Sequence, residues 1–280
     1  MKTFIKSIFL LTALILWADT AISQVTVAPV IVSMDDQNRF GSYIVQNRTD
    51  TPQEVTVDFV FGYPASDSTG QGYMIYDDPE TEARLSAAPW LRAFPRAFTI
   101  APGQQQTVRL TTRPPVNLPE GMYWSRIVTT STAREPETGN DNVITVGARI
   151  IFRFEQITTV FFRKGQVHTG IVAGSHEWFP HSGLTGDHTI LLSLQQTGNA
   201  PFLGTLKMNI RDHNNRIVHS TSEPVAIYFN MLKKVELPAG LLQPGTYTAE
   251  ISLATTRNDV PPSRIVQGTG ITDHFAFTVQ

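Results

Sequence analysis

Histidine is the first residue type that could carry chemistry in this chain, which has seven histidines and no cysteine. His176, His181 and His188 lie close together in sequence, with Glu177 and Asp187 among them. A metal centre would need such rings and carboxylates to converge on one point. The run His176-Glu177-Trp178-Phe179-Pro180-His181 approaches the two-histidine helix of zinc proteases, but it has one residue too many between the rings. Pro180 would also break the helix that must put both on one face. A solvated loop is the plainer reading, so no metal is expected. Asp67-Ser68-Thr69-Gly70 could open a calcium loop, yet the alternating oxygen ligands and closing glutamate are missing. There is no Gly-x-Ser-x-Gly elbow, phosphate-binding glycine loop or dinucleotide fingerprint. The expectation is therefore a protein with no catalytic residue and no cofactor, not an enzyme. Binding is what remains.

Composition narrows the kind of binding. The 280 residues are 41% hydrophobic and only 16% charged, with a formal net charge of −2. Phosphate tracking on nucleic acid needs a basic surplus, and 22 basic against 24 acidic residues give none. Without cysteine there is no disulfide scaffold. The apolar content argues against intrinsic disorder. Lys2 and Lys6, the apolar run Ile8 to Ala18 and the small residues Ala21 and Ser23 form a secretory signal over residues 1–24. The run is too short for a membrane anchor, so no stable membrane insertion is expected. An exported chain without cysteine fits a bacterial periplasm, or alternatively secretion or the cell surface.

The elements that must position a binding surface are strands. Val55, Val57, Phe59 and Phe61 alternate with polar residues, as do Leu206, Met208 and Ile210, and Tyr247, Ala249, Ile251 and Leu253. Ile144, Val146, Ala148, Ile150, Phe152 and Phe154 hold one parity throughout. Turn formers such as Ala101-Pro102-Gly103 and Gln243-Pro244-Gly245 separate the runs. The class is all-β, with two immunoglobulin-like sandwiches in tandem. A repeat supports this: Leu118-Pro119-Glu120-Gly121-Met122-Tyr123 and Leu242-Gln243-Pro244-Gly245-Thr246-Tyr247 share Leu-x-x-Gly-x-Tyr. A tyrosine opening a strand after such a corner is what a tyrosine corner requires. The expected domains are 25–155 and 156–280, joined by a stiff elbow, since no Gly/Ser/Pro run divides them. Between the repeats' anchors the first unit carries about 25 extra residues, placed in 64–94, with a short helix at Pro79 to Leu85. This stretch reads as a surface excursion or as a lid or partner-binding loop.

Pro95 to Leu110 reads as strand, Pro-Gly turn and strand, and its Pro-Gly-x-x-Gln-x-Val-Arg-Leu pattern is similar to that of the PapD-like periplasmic pilus chaperones. Val25-Thr26-Val27-Ala28-Pro29, Tyr43 to Thr49 and the long strand ending the first unit resemble the family too. The resemblance covers residues 25–155; the second unit is similar only as another immunoglobulin-like unit. It implies a chaperone-like protein whose partners are subunits of a pilus, fimbria or other surface assembly. In that family the last strand of the first domain lends alternating apolar side chains to a subunit that lacks a strand.

Carried over residue by residue, the donors fall on Asn142, Ile144 and Val146, which makes Ile144, Val146, Ala148 and Ile150 the client-binding edge strand. The family also holds the client's terminal carboxylate with two basic residues in its cleft. Here those positions fall on Ile31 and Ile151, so Arg149 and Arg153, of the same parity as Ile151, become the substitute anchors. The Tyr-Arg-Pro closing the family's strand falls on Phe154-Glu155-Gln156. The alternative function is a structural or adhesive sandwich module without chaperone activity.

Overall fold

The computed structural model describes residues 25–134, 151–182 and 187–280. The expected signal peptide, residues 1–24, lies outside them.

In the first unit the alternating runs become β1 (Val25–Ala28), β2 (Ile31–Asp35), β3 (Phe40–Asn47) and β4 (Gln53–Val60). There follow β5 (Tyr63–Ser66), β6 (Gly72–Ile75), helix α1 (Pro79–Leu85), β7 (Leu91–Phe94), β8 (Ala97–Ile100) and β9 (Gln105–Thr112). Two long strands close the unit, β10 (Gly121–Ala133) and β11 (Arg153–Lys164). The sheets run β1-β3-β9-β7 and β2-β11-β10-β4-β8. Tyr43, Val45, Val57, Val108, Leu110, Ile127, Val160 and Phe162 meet between them.

The second unit comprises β12 (Thr169–Ser182), β13 (Asp187–Gly198), β14 (Phe202–Arg211) and β15 (Ile217–Ile227), then β16 (Met231–Leu237), β17 (Gly245–Ala254) and β18 (Ile271–Val279). Its sheets are β12-β13-β16 and β15-β14-β17-β18, enclosing Ile190, Leu192, Phe202, Leu206, Met208, Ile251 and Leu253. The fold is all-β, two sandwiches held by apolar packing between sheets. Both tyrosine corners form: Tyr123 donates to the Pro119 carbonyl at 3.0 Å and Tyr247 to the Gln243 carbonyl at 2.8 Å.

Two expectations need correction. The boundary at 155/156 falls inside β11, which pairs with β10 from Arg153 to Lys164 and with β2 from Thr159 to Arg163. The first sandwich thus runs to Lys164, and the chain turns at Gly165, whose φ of +59° is a left-handed value that suits glycine. The cause is the unbroken alternation, which marks no strand end. His176 and His188 are not in a loop either: they lie on the paired strands β12 and β13. The His176 ring stacks on Phe275 at 5.0 Å, and its Nε2 lies 3.0 Å from Asp273 Oδ2 without hydrogen-bond geometry. His188 packs on Trp178. Among the described residues no group of three His, Cys, Asp or Glu side chains is arranged to hold a metal.

The extra stretch in the first unit is the hairpin β5–β6 followed by α1, whose first turn is capped by Asp78 accepting from the Thr81 amide at 3.0 Å. The elbow itself is packed. Phe61, Tyr63, Met122, Trp124 and Phe161 of the first unit meet Leu203, Tyr228, Val260 and Ile265 of the second.

Candidate functional site

Where β11 meets β2, one row crosses the sheet from Val60 on β4 through Arg126 and Thr159 to Ile31. Strand parity explains what lies there. Met122, Trp124 and Arg126 are alternate residues of β10 and share one face, while Ile127 faces the sandwich core. Met122 and Trp124 are buried against the second unit. Arg126, the next residue on that face, is only partly buried, so it sits at the rim of the elbow.

Its guanidinium is held on several sides. Nε donates to the Gly62 carbonyl at 3.0 Å, Nη1 donates to Thr159 Oγ1, and the group lies over the Tyr228 ring, 5.3 Å from its centroid. Trp124 Nε1 shares the Gly62 carbonyl at 3.1 Å. Burial pushes the Tyr228 hydroxyl above its ordinary value, and the Arg126 charge draws it partly back. Among the described residues no carboxylate pairs with Arg126, in contrast to Arg257 nearby, which Asp259 neutralises with a 2.8 Å bond to Nε. A partly desolvated cation without an anion favours an incoming carboxylate, which would gain a charge-assisted hydrogen bond.

Along β11 from this rim, the ladder with β2 begins only at Thr159. Phe152 and Phe154 stand before it with relative exposures of 62% and 41%. They share parity with Val160 and Phe162 in the core below. Their rings lie 6.2 Å apart. Ile157, on the opposite face with Thr159, is 48% exposed. An exposed apolar stretch of β11 thus leads toward a cation that no carboxylate of the described residues pairs with.

The residues picked from sequence are distributed otherwise. Ile144, Val146, Ala148, Ile150 and Arg149 lie outside the described residues, as does Asn142. Arg153 is at the far end of β11, opposite Thr132, and pairs with Glu155 at 2.8 Å. It stands six residues before Thr159, or about 20 Å of strand. Ile151 precedes the strand and is exposed, and the residue beside Ile31 is Thr159. The strand closes on Phe162-Arg163-Lys164 rather than on Phe154-Glu155-Gln156. Thr159, the residue beside Ile31, stands eight places after the carried-over Ile151, as Phe162 does after Phe154. An even offset preserves parity, so alternation alone does not choose between the two sets of positions.

Arg126 and Thr159 are not among the residues that the sequence singles out. The available signal was a cation continuing the parity of Met122 and Trp124, on a strand too long to be wholly covered by its own sandwich.

No protein-family model matches the chain, and no curated protein matches it. Solved structures to which the backbone is similar include the YadV chaperone (10% identity, 89% of this chain and 100% of that one, TM-score 0.46). A second is the Salmonella enterica SafB chaperone with the SafA pilin (12%, 93% and 99%, TM-score 0.45). A third is the Pseudomonas aeruginosa CupB2 chaperone (12%, 91% and 100%, TM-score 0.41).

Proposed function

We propose that this is an exported, non-enzymatic chaperone-like protein of the periplasm, which holds subunits of a pilus, fimbria or other surface assembly by adding a strand to them. The observation that carries this reading is the apolar edge of β11, ending beside Arg126. The sequence resemblance through the first unit supports it. An incoming client strand would lie along β11 where β2 has not yet begun, exchanging main-chain hydrogen bonds with it. Phe152 and Phe154 fill the client's open core, and the alternation continues back through Ile150, Ala148, Val146 and Ile144. Slid by eight residues, the donor positions fall on Ile150, Phe152 and Phe154. The client's chain end arrives at the start of β2, where Arg126 takes its carboxylate in the role first given to Arg149 or Arg153.

The test is capture of a strand-deficient fibre subunit by the mature protein. Two apolar anchors at about 2 kcal/mol each make Phe152→Asp with Phe154→Asp weaken capture about a thousandfold. Both rings are solvent-facing, so the variant should fold. Undiminished capture by a folded variant refutes strand donation and leaves the structural or adhesive module.

A further inference from the structure

The hairpin β5–β6 reaches out of the first sandwich and rests on the second. Ser66 Oγ accepts from the Leu232 amide of β16 at 2.7 Å, so an amide of that edge strand finds its acceptor in the other unit. The Tyr63 ring meets Phe229 edge-on, with centroids 4.9 Å apart, and its hydroxyl donates to Asp78 at the start of α1. At the hairpin tip, Asp67 Oδ1 accepts from the Thr69 and Gln71 amides and fixes the loop. Gly70 has a left-handed φ of +76° and lies flat on the second unit. A Cβ there would come within 2.4 Å of Leu191 and 2.9 Å of the Lys234 amide.

The root of this hairpin is Gly62, whose carbonyl holds both Arg126 and Trp124. Tyr76, just past β6, closes on Gly62 from the other side, where a Cβ would meet its ring at 2.6 Å. Movement of the hairpin against the second unit therefore displaces the acceptor that aims the Arg126 guanidinium.

We propose that the hairpin is a strut: Tyr63, Ser66 and Gly70 set the angle between the two sandwiches, and through Gly62 they act as positioning residues for Arg126. Its second half rests on the reading of Arg126 as the client's carboxylate anchor; its first half does not. The bland expectation of a surface excursion is replaced by an internal brace, and the contacts that would serve a lid are already occupied by the chain's own second unit.

The absence of native cysteine makes the test direct. Spin labels on Gln105→Cys of β9 and Lys207→Cys of β14, both exposed, report the distance between units in the protein alone. One narrow distribution is expected for the parent. Gly70→Val should at least double its width, because the added carbons cannot fit against Leu191 and Lys234. Tyr63→Ala with Ser66→Ala serves if the valine variant fails to fold, and should also broaden it. An unchanged width in folded variants overturns the strut. For the second half, the strut variants should weaken client capture in the same direction as Arg126→Ala, and combining the two should be clearly less than additive. Full additivity overturns the link through Gly62. A broadened distribution with capture indifferent to Arg126→Ala would leave the strut standing and remove the anchor reading instead.

Discussion

Two sheet edges of this molecule are treated in opposite ways. The edge of β16 in the second unit is covered by a hairpin that the first unit supplies, with Ser66 accepting from its Leu232 amide. The neighbouring edge strand β15 carries Pro224 and is tied to β16 by Glu223 and Lys233, 2.9 Å apart. These are ordinary protections against stray pairing. The edge of β11 is treated differently: Gln156 donates to the Val25 carbonyl and Arg153 pairs with Glu155, yet the large rings of Phe152 and Phe154 stand in solvent. If the proposed function holds, a chain with about 25 residues over one edge and exposed aromatic rings beside another separates stability from binding. Changes on the covered side should be felt in folding, and changes on the open side in capture.

The largest effect is expected at the cover. Trp124 is buried at the elbow, stacks on Phe61 at 5.4 Å and meets Tyr228 edge-on at 4.8 Å. Trp124→Ala should cost about 3–5 kcal/mol. Denaturation should then split, because the two sandwiches keep separate cores while the surface joining them is lost. A single unshifted transition in denaturant would show that the elbow adds nothing to folding, and the contrast between edges would fail.

Next comes the open side. Arg126→Ala should weaken client capture by about 2–3 kcal/mol, at least thirtyfold, if a buried carboxylate is left without its partner. Arg126→Lys should recover only part of this, since a compact ammonium lacks the planar fork whose spread donors reach Gly62, Thr159 and an incoming carboxylate in fixed directions. Because no carboxylate of the described residues pairs with Arg126, its loss should move the unfolding midpoint far less than that of Trp124. The tyrosine corners then check that the sandwiches are otherwise equivalent. Tyr123→Phe and Tyr247→Phe each remove one hydroxyl bond to a carbonyl four residues back, at about 1 kcal/mol. Unequal losses in thermal unfolding would show that one unit leans on its corner more than the other.

Sequence made the sandwiches legible and left the site half-read, for a physical reason. Alternation, the Leu-x-x-Gly-x-Tyr repeat and Pro79 with Asp78 before it are local signals, and they yield the strands, both corners and α1 within their own segments. Period-2 alternation has no origin, however. Nothing between Ile144 and Phe162 says that pairing with β2 starts at Thr159 rather than near Ile151. Arg126 depends on a longer-range fact, that its face of β10 is partly covered by another unit. The hairpin's role was equally hidden, because Ser66, Gly70 and Leu232 reveal their relation only once folded. His176 and His188 misled for the opposite reason: their closeness in sequence suggested a common loop, whereas pairing puts them on two strands against different rings.

The smallest effect distinguishes the cover from the core by pH. Burial raises the hydroxyl of Tyr43, in the first core, to about 12, although its bond to Thr129 at 3.1 Å opposes this. Tyr63, in the hairpin, is also raised to about 12, by desolvation first and then by the Asp78 carboxylate that accepts its proton. In both cases the folded state prefers the neutral phenol. Their contribution is therefore whole below the unfolded value near 10 and is lost as pH rises from about 10 to about 12. The consequences differ by location. Ionising Tyr43 opposes the first sandwich itself, so Tyr43→Phe should make unfolding less sensitive to alkali. Ionising Tyr63 sets two negative oxygens against each other at the root of the strut, and the interunit distance should broaden while both cores persist. Tyr63→Phe should broaden it modestly at neutral pH, through loss of the bond to Asp78, and remove the alkaline increment. Tyrosinate absorbance followed together with the spin-label distance decides the matter. If the distance widens only when the cores unfold, the hairpin is not held separately from the sandwich that bears it.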